Sequence, residues 1–365
     1  MSRTALIRAD GGRRLGLGHI KRCLALAAAL ADEGVSCTFA LGGDDTAAGL
    51  VAAAGYRAIP VAAGVEEEVA RLPGADVVVL DISHAITFAA AAAVGGHVAG
   101  LARRYAAVAV IDGLLHRCLV GRFDLPVDLA VIPYAGATEQ PIASTRPRLL
   151  LGPGFFILDH AYAAFTDAPR ETRDRGERVL VTAGGSDPAG LTVKALEAAE
   201  SLDGGRLEFR IAIGPAFDPD GATAIAGAAR RSRHRVTLLH GPESLARHMA
   251  WCDVAISASG LTKYELAATG APALLLSIDR DHAAFNRPFE GFATARHLGV
   301  VEAVSAPSLA GALAELLDDA PSRAKMAAAG RAMLDGGGAR RVAAAVAGLA
   351  DAAQGGREYR TAARR

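Results

Sequence analysis

The sequence predicts an α/β protein of two Rossmann-like lobes in series, each built on a parallel sheet, and three observations predict it. In the first half, short apolar runs of strand length alternate with helical stretches, the pattern of a parallel sheet with right-handed crossovers. A charged stretch around 160–178, with Pro169 and little apolar periodicity, then breaks the alternation. Beyond it the pattern restarts with a second strand, glycine turn and helix. The expected division is a first lobe over 1–160, a linker over 161–178, a second lobe over 179–335, and a C-terminal helix with a basic tail over 336–365. Two lobes that open alike predict a cleft between them.

In the first lobe the strand-length runs are 5–8, 36–41, 77–81, 107–111 and a weaker one at 129–132, with helical stretches at 19–33, 45–54, 85–103 and 115–121. The run Ala85 to Ala102 is nearly uncharged, but it is mostly Ala and Gly and contains His97. A buried crossover helix fits it better than a membrane span. Leu149–Leu151 reads as a strand with a turn after it. In the second lobe strands are expected at Val179–Thr182, Phe209–Ile213, Val236–Leu239, Val254–Ser257 and Ala273–Ser277, and helices at 191–201, 221–231, 242–251, 261–269, 281–296, 307–318, 321–334 and 338–353.

Composition narrows the class. The 365 residues are 51% hydrophobic but only 5% aromatic, with alanine carrying much of the apolar count, so many close-packed helices are expected. Lys+Arg and Asp+Glu balance at 39 each, which argues against a nucleic-acid partner. The four cysteines (Cys23, Cys37, Cys118, Cys252) lack CxxC spacing and read as reduced core residues. With no signal peptide and no integral membrane segment, the expected location is cytoplasmic. The tail from Arg357 to Arg365 holds four arginines. It reads first as a solvated, frayed end, and second as a weak contact with a membrane surface or partner.

The chemistry gathers around residues 5–24, where a strand runs through Arg8, Ala9 and Asp10 into a glycine-rich turn that opens a helix at His19. Gly16-x-Gly18-x-x-Arg22 matches two glycines of a dinucleotide fingerprint, but its third position must be small for close helix packing and holds Arg22. No Gly-Lys-Ser/Thr follows, so it is not a P-loop. Gly16 and Gly18 leave room for a ligand, and His19, kept neutral, serves as a general base. Two strands end in acids. Asp81 reads as a helix cap, and Asp112 equally as a cap or as a ligand-facing group.

The second lobe offers two phosphate-type turns. Gly184–Gly185–Ser186–Asp187–Pro188 leads into a helix, either as a phosphate cradle or as a plain turn with Asp187 as cap. Ser257–Ala258–Ser259–Gly260–Leu261–Thr262 leads from a strand into another, so that Ser259, Gly260 and Thr262 can hold a diphosphate. Glu265 then lies a turn further on, able to accept from a ribose diol. No metal-ligand spacing of carboxylates appears, so neither metal nor cofactor is expected.

Together RADGGRRLGLGHIKRCLALA, GGSDP and SASGLTKYELAATGAP resemble the nucleotide-sugar hydrolase of pseudaminic acid biosynthesis, and equally the related spore-coat polysaccharide biosynthesis proteins of glycosyltransferase type. The resemblance runs over most of residues 3–300, with G-x-G-H-x-x-R its most specific part. It implies a glycosyltransferase-B architecture shared with the peptidoglycan GlcNAc transferase, and a UDP-sugar substrate. His19 is then the catalytic residue activating water, and Asp10, Gly16, Gly18, Arg22 and Asp112 lie on the sugar and phosphate side. Gly184, Gly185, Ser186, Ser259, Gly260, Thr262 and Glu265 bind UDP, with Ile213 and Gly214 near the uracil. The hydrolase pattern Asp-Asn-Gln is Asp279–Arg280–Asp281–His282 here, and His282 and Asn286 are closer to the spore-coat branch. The expectation is a hydrolase releasing UDP from an acetamido-deoxy sugar, with a UDP-sugar glycosyltransferase as its rival and a non-catalytic nucleotide-sugar binder as the third reading.

Overall fold

The backbone period of two sorts the first strands. In β1 (Arg3–Gly11), Ala5, Ile7 and Ala9 point to one face, while Leu6, Arg8 and Asp10 point to the other. Both faces are buried, as a parallel sheet requires. The computed structural model describes residues 2–12, 17–61, 65–82, 91–111, 126–137, 148–166, 170–202, 205–258 and 260–362. Gly16, Asp112, Ser259, Cys118 and the expected helix at 115–121 lie outside the described residues.

Two compact units divide the chain, Met1–Asp159 with Gly337–Arg365 and His160–Gly336. The first continues with α1 (Gly18–Asp32), β2 (Val35–Gly43), α2 (Asp45–Ala53), β3 (Arg57–Pro60), α3 (Val65–Arg71), β4 (Val77–Asp81), α4 (Ala91–Arg104), β5 (Ala107–Ile111), β6 (Leu129–Ile132) and β7 (Arg148–Leu151). Its seven strands are parallel in the order β3-β2-β1-β4-β5-β6-β7. The order therefore reverses between β1 and β4, and the carboxyl ends of those strands flank the ligand crevice of such a sheet. On one face Ile7 and Val79 pack with Ile20, Leu26 and Leu30 of α1, and on the other Leu6, Val78 and Leu80 pack with Val98 and Leu101 of α4. Each such side chain contributes about 1.5–3 kcal/mol by leaving water.

The second unit holds α5 (His160–Ala163), β8 (Arg178–Thr182), α6 (Leu191–Glu200), β9 (Glu208–Ile213), α7 (Pro219–Arg231), β10 (Arg235–His240), α8 (Ala246–Trp251), β11 (Val254–Ser257), α9 (Thr262–Ala268), β12 (Ala273–Ser277), α10 (Arg280–Gly291), β13 (Ala295–Val300), α11 (Ala306–Asp318) and α12 (Ala320–Met333). Its six-stranded sheet runs β10-β9-β8-β11-β12-β13, with its own reversal between β8 and β11. The polar stretch read as a linker is tied to this unit. The buried Arg323 guanidinium donates to the carbonyls of Arg173 and Leu316, and Arg170 donates to the carbonyls of Met249 and Cys252. The last helix, α13 (Gly338–Ala362), belongs to the first unit, where Val342 and Val346 join the α1 face of the sheet. It runs nine residues past the expected end at 353, so the backbone of the basic tail is helical through Ala362 rather than frayed.

Among the described residues four elements escaped the sequence pattern: β3, α3, α5 and β13. The last was read as the end of a helix, because after α10 and its cap Phe292 the chain turns at Ala293, in the left-handed region (φ 54), where glycine usually marks the stop. Among the described residues no helix is long and apolar enough to cross a membrane.

Helix packing in the second unit uses one glycine contact with no slack. A Cβ on Gly330 of α12 would lie 2.5 Å from the carbonyl oxygen of Ala267 in α9, whereas one on Gly348 of α13 meets nothing within 4 Å. Gly330→Ala is therefore expected to destabilise the second unit by about 1–3 kcal/mol. Gly348→Ala should stabilise the first by up to ~1 kcal/mol. Denaturant unfolding followed by circular dichroism measures both.

Candidate active site

At the reversal point of the first sheet, β4 ends in a carboxylate with no exposed surface, Asp81. Its register partner on β1 is Ala9, small enough to let the first turns of α1 lie over it. Three side chains of α1 converge there. His19 Nδ1 is 2.7 Å from Asp81 Oδ1, Arg22 Nε donates to Oδ2 at 2.8 Å and Nη2 to Oδ1 at 2.5 Å, and the Cys23 thiol donates to Oδ2 at 3.4 Å. The i, i+3 and i+4 spacing of 19, 22 and 23 makes this one helix face. From across the sheet Tyr134, just after β6, receives Arg22 Nη1 on its hydroxyl oxygen.

Electrostatics sets the protonation states. Burial alone would raise the Asp81 pKa, but the charge of Arg22 and the bond from His19 outweigh it and hold the carboxyl well below the usual range. Burial works against the Arg22 charge too, yet Asp81 keeps it fully ionised. Cys23 stays a thiol, pushed up by burial and by the same carboxylate. An ionised Asp81 at 2.7 Å requires Nδ1 of neutral His19 to carry the proton. Arg22 Nη2 at 3.2 Å from Nδ1 is then a neighbour, not a donor to it. The remaining lone pair is on Nε2, and the imidazole is one-quarter exposed.

This arrangement corrects two expectations. Asp81, expected as a helix cap, is the buried partner of His19, Arg22 and Cys23 among the described residues. Arg22 is not turned to a substrate: it is 4% exposed, with its guanidinium bound to Asp81 and Tyr134. Asp10 is likewise not presented to a ligand. It is buried on the opposite face of the sheet, paired with Arg8, which also holds Glu68 of α3 in two bonds of 2.7 and 3.2 Å. His97 of α4 reaches the same Glu68 at 3.0 Å. Gly18 opens α1 beside His19.

In the second unit the glycine turn after β8 is built differently from a phosphate cradle. The Asp187 carboxylate accepts from Leu191 and Thr192 N–H, both at 2.8 Å, and so takes the donors that a phosphate would use. Gly184 is left-handed (φ 90), while Gly185 and Ser186 are exposed. Gly214 is fixed by packing, since a Cβ there would lie 2.4 Å from the carbonyl oxygens of Gly184 and Gly185. The Ile213 side chain belongs to the core and its carbonyl accepts from Gly241 N–H. After β11, Gly260 is exposed, Thr262 half-buried, and Glu265 lies beside the Tyr162 hydroxyl, whose pKa burial and that carboxylate push up. His282 is half-exposed against Asp279, the α10 cap. Asn286 is fully buried, accepting from Lys263 Nζ at 2.9 Å and donating to Ser277 Oγ at 2.8 Å, and so faces no ligand. Among the described residues no group of three or more His, Cys, Asp or Glu is arranged to hold a metal ion.

Sequence reasoning missed Tyr134 and the Lys263–Asn286 pair. A lysine between two residues expected to bind nucleotide was a signal for the latter.

No protein-family model matches the chain. The spore coat polysaccharide biosynthesis protein SpsG of Bacillus subtilis (strain 168) is 27% identical over 211 residues, 58% of this chain and 61% of that protein. The match thus spans less than two thirds of the relative's length. Among solved structures, MurG of Acinetobacter baumannii superposes with a TM-score of 0.69 at 14% identity, covering 94% of this chain and 99% of that one. The fold is glycosyltransferase-B. A glycotransferase of kitacinnamycin gives 0.65 at 17% identity, covering 96% and 100%. A UDP-GlcNAc 2-epimerase of Neisseria meningitidis, bound to UDP-GlcNAc, gives 0.59 at 14%, covering 93% and 98%.

Two predictions follow the charges. Asp81→Asn leaves the buried Arg22 without a counter-ion and should destabilise the first unit by about 3–5 kcal/mol. Tyr134→Phe removes one hydroxyl and should cost only about 1–2 kcal/mol; thermal unfolding ranks them. Burial lowers the Lys263 pKa from 10.5 to about 7. Between those values the unfolded chain binds the proton and the folded one releases it, so this contribution to stability rises with pH and the penalty is complete below 7. The stability difference between wild type and Lys263→Met should therefore shift toward wild type by about 4–5 kcal/mol from pH 6 to pH 11. Urea unfolding at a series of pH values checks it.

Proposed function

We propose that the chain is a nucleotide-sugar glycosyltransferase of polysaccharide biosynthesis, and that His19 is its general base. One observation carries the reading: the 2.7 Å bond from His19 Nδ1 to the buried Asp81, which leaves the Nε2 lone pair for a proton. The acceptor hydroxyl gives its proton to Nε2 as its oxygen forms a bond to the anomeric carbon. The bond from that carbon to the diphosphate oxygen breaks, and its electron pair leaves with the nucleoside diphosphate. Asp81 stays ionised throughout and stabilises the imidazolium. We assign the donor's UDP to the second unit, with Ser259, Gly260 and Thr262 toward the diphosphate and Glu265 toward the ribose. Gly16, Gly18 and Asp112 remain assigned to the sugar side. The relationship to SpsG and the glycosyltransferase-B fold support a transferase over the hydrolase expected from the sequence.

A second reading keeps the same site with water as the acceptor. It rests on G-x-G-H-x-x-R, the motif shared in resemblance with the hydrolase.

The test is incubation with a panel of UDP- and CMP-sugars, with and without sugar acceptors, assaying free nucleotide. UDP release that needs an acceptor and falls roughly 10²–10⁴-fold in His19→Ala, with UDP binding retained, is the expected result. Equal release without acceptor would replace the transferase with the hydrolase. Tight donor binding with no turnover under any condition would sink both.

A further inference from the structure

The amino ends of the second sheet carry a cluster of guanidinium groups that the proposed reaction does not use. A cavity of about 160 Å³ opens there, lined by Arg170, Arg173, Arg178, Glu171, Trp251 and Asp253, among others. It lies at the start of β8 and β11, whereas the glycine turn follows the end of β8. Along a five-residue strand that separation is about 13 Å.

Positive charge exceeds the buried negative charge. Asp253 is already engaged, since Oδ2 accepts from Glu177 and Arg178 N–H at 2.9 and 3.0 Å and Oδ1 has Arg173 at 3.7 Å. Glu171 is exposed, so water screens it. Arg170 spends its guanidinium on main-chain carbonyls, of Met249 and Cys252 among others, which orient it without cancelling its charge. Arg173 makes only long pairs, 3.7 Å to Asp253 and 4.0 Å to Glu177. Half-buried Arg178 has, among the described residues, no side-chain hydrogen bond; its guanidinium carbon lies 5.7 Å from the Trp251 ring centre. Arg210 stacks on the same indole at 3.8 Å. Stacked arginines are pre-organised, so little side-chain freedom is lost when their N–H groups take a ligand.

We infer that this cavity is a binding site for a phosphate-class anion, inorganic phosphate or diphosphate, separate from the nucleotide site. Guanidinium forks match phosphate oxygens in geometry and charge, and a concave, part-desolvated setting strengthens each bond.

Trp251 is the single tryptophan of the chain, so its fluorescence reports this cavity directly. The full-length protein is titrated with inorganic phosphate, inorganic diphosphate and UDP at constant ionic strength, with sodium chloride as the control. A saturable diphosphate response that weakens roughly tenfold or more in Arg178→Met is expected. Should that variant lose its circular dichroism spectrum, Arg173→Met, at a half-exposed site with only long ion pairs, takes its place with the same expectation. An Arg178-dependent response to UDP as well would make the nucleotide's diphosphate the source of the anion; a response to the inorganic anions alone would make it the free ion. A chloride response of equal size, no saturation, or an unchanged response in both variants overturns the inference.

Discussion

A carboxylate with no access to water is expensive to keep charged, and the first unit is arranged around keeping Asp81 charged. Four donors from three side chains of α1, placed by helix spacing, converge on its two oxygens. Arg22 supplies the neutralising charge, which is why an arginine stands where a dinucleotide fold needs glycine. The small Ala9 beside Asp81 admits that guanidinium. Removing any one partner leaves another stranded in a medium where unpaired charge costs several kcal/mol. The helix, its orientation over the sheet and the imidazole at its mouth therefore stand or fall together.

Strand alternation extends the same logic to the other face. Odd positions of β1 meet α1 and α13, while Leu6, Arg8 and Asp10 meet α3 and α4. Arg8, Asp10, Glu68 and His97 form a second buried polar cluster at the same end of the sheet. The second unit has an uncharged-to-cationic counterpart in the chain Lys263–Asn286–Ser277–His297, which joins α9, α10, β12 and β13. In the first unit the Asp81 and Arg8 clusters both sit near the carboxyl ends of the strands, where an open parallel sheet places its ligand.

The two parallel sheets were legible because strands buried on both faces read as continuous apolar runs, and VVVL and AVAVI have no other reading. Edge strand β3, RAIP, was not, since its side chains are half-exposed and it ends in proline. After the helix before β13 the left-handed turn falls on Ala293 in place of glycine, so the stop signal was missing. His19 was legible from its glycines. Its partner was not, because a strand-terminal acid reads equally as a cap, and 62 residues separate the two. The acid seen to cap a helix is Asp187, the plain-turn alternative at the turn whose glycines suggested phosphate. Pairing across a sheet is set by strand order, and no local pattern encodes that.

Asp81 shares its charge between two partners, and this decides what it gives His19. A lone buried carboxylate would act on the ring chiefly through its field. With Arg22 bound to both oxygens, much of that field is cancelled at rest, and what persists is direction: the Nδ1 proton is held and Nε2 is aimed. When the ring takes a proton, the short bond to Oδ1 becomes charge-assisted and strengthens. In the proposed reaction the stabilisation thus grows as the transfer proceeds, and interactions stronger in the transition state than in the ground state are the ones that accelerate a reaction. In that proposed reaction the same arrangement serves a sugar hydroxyl or a water. Selection between them falls to the acceptor, and the dyad is common to both chemistries.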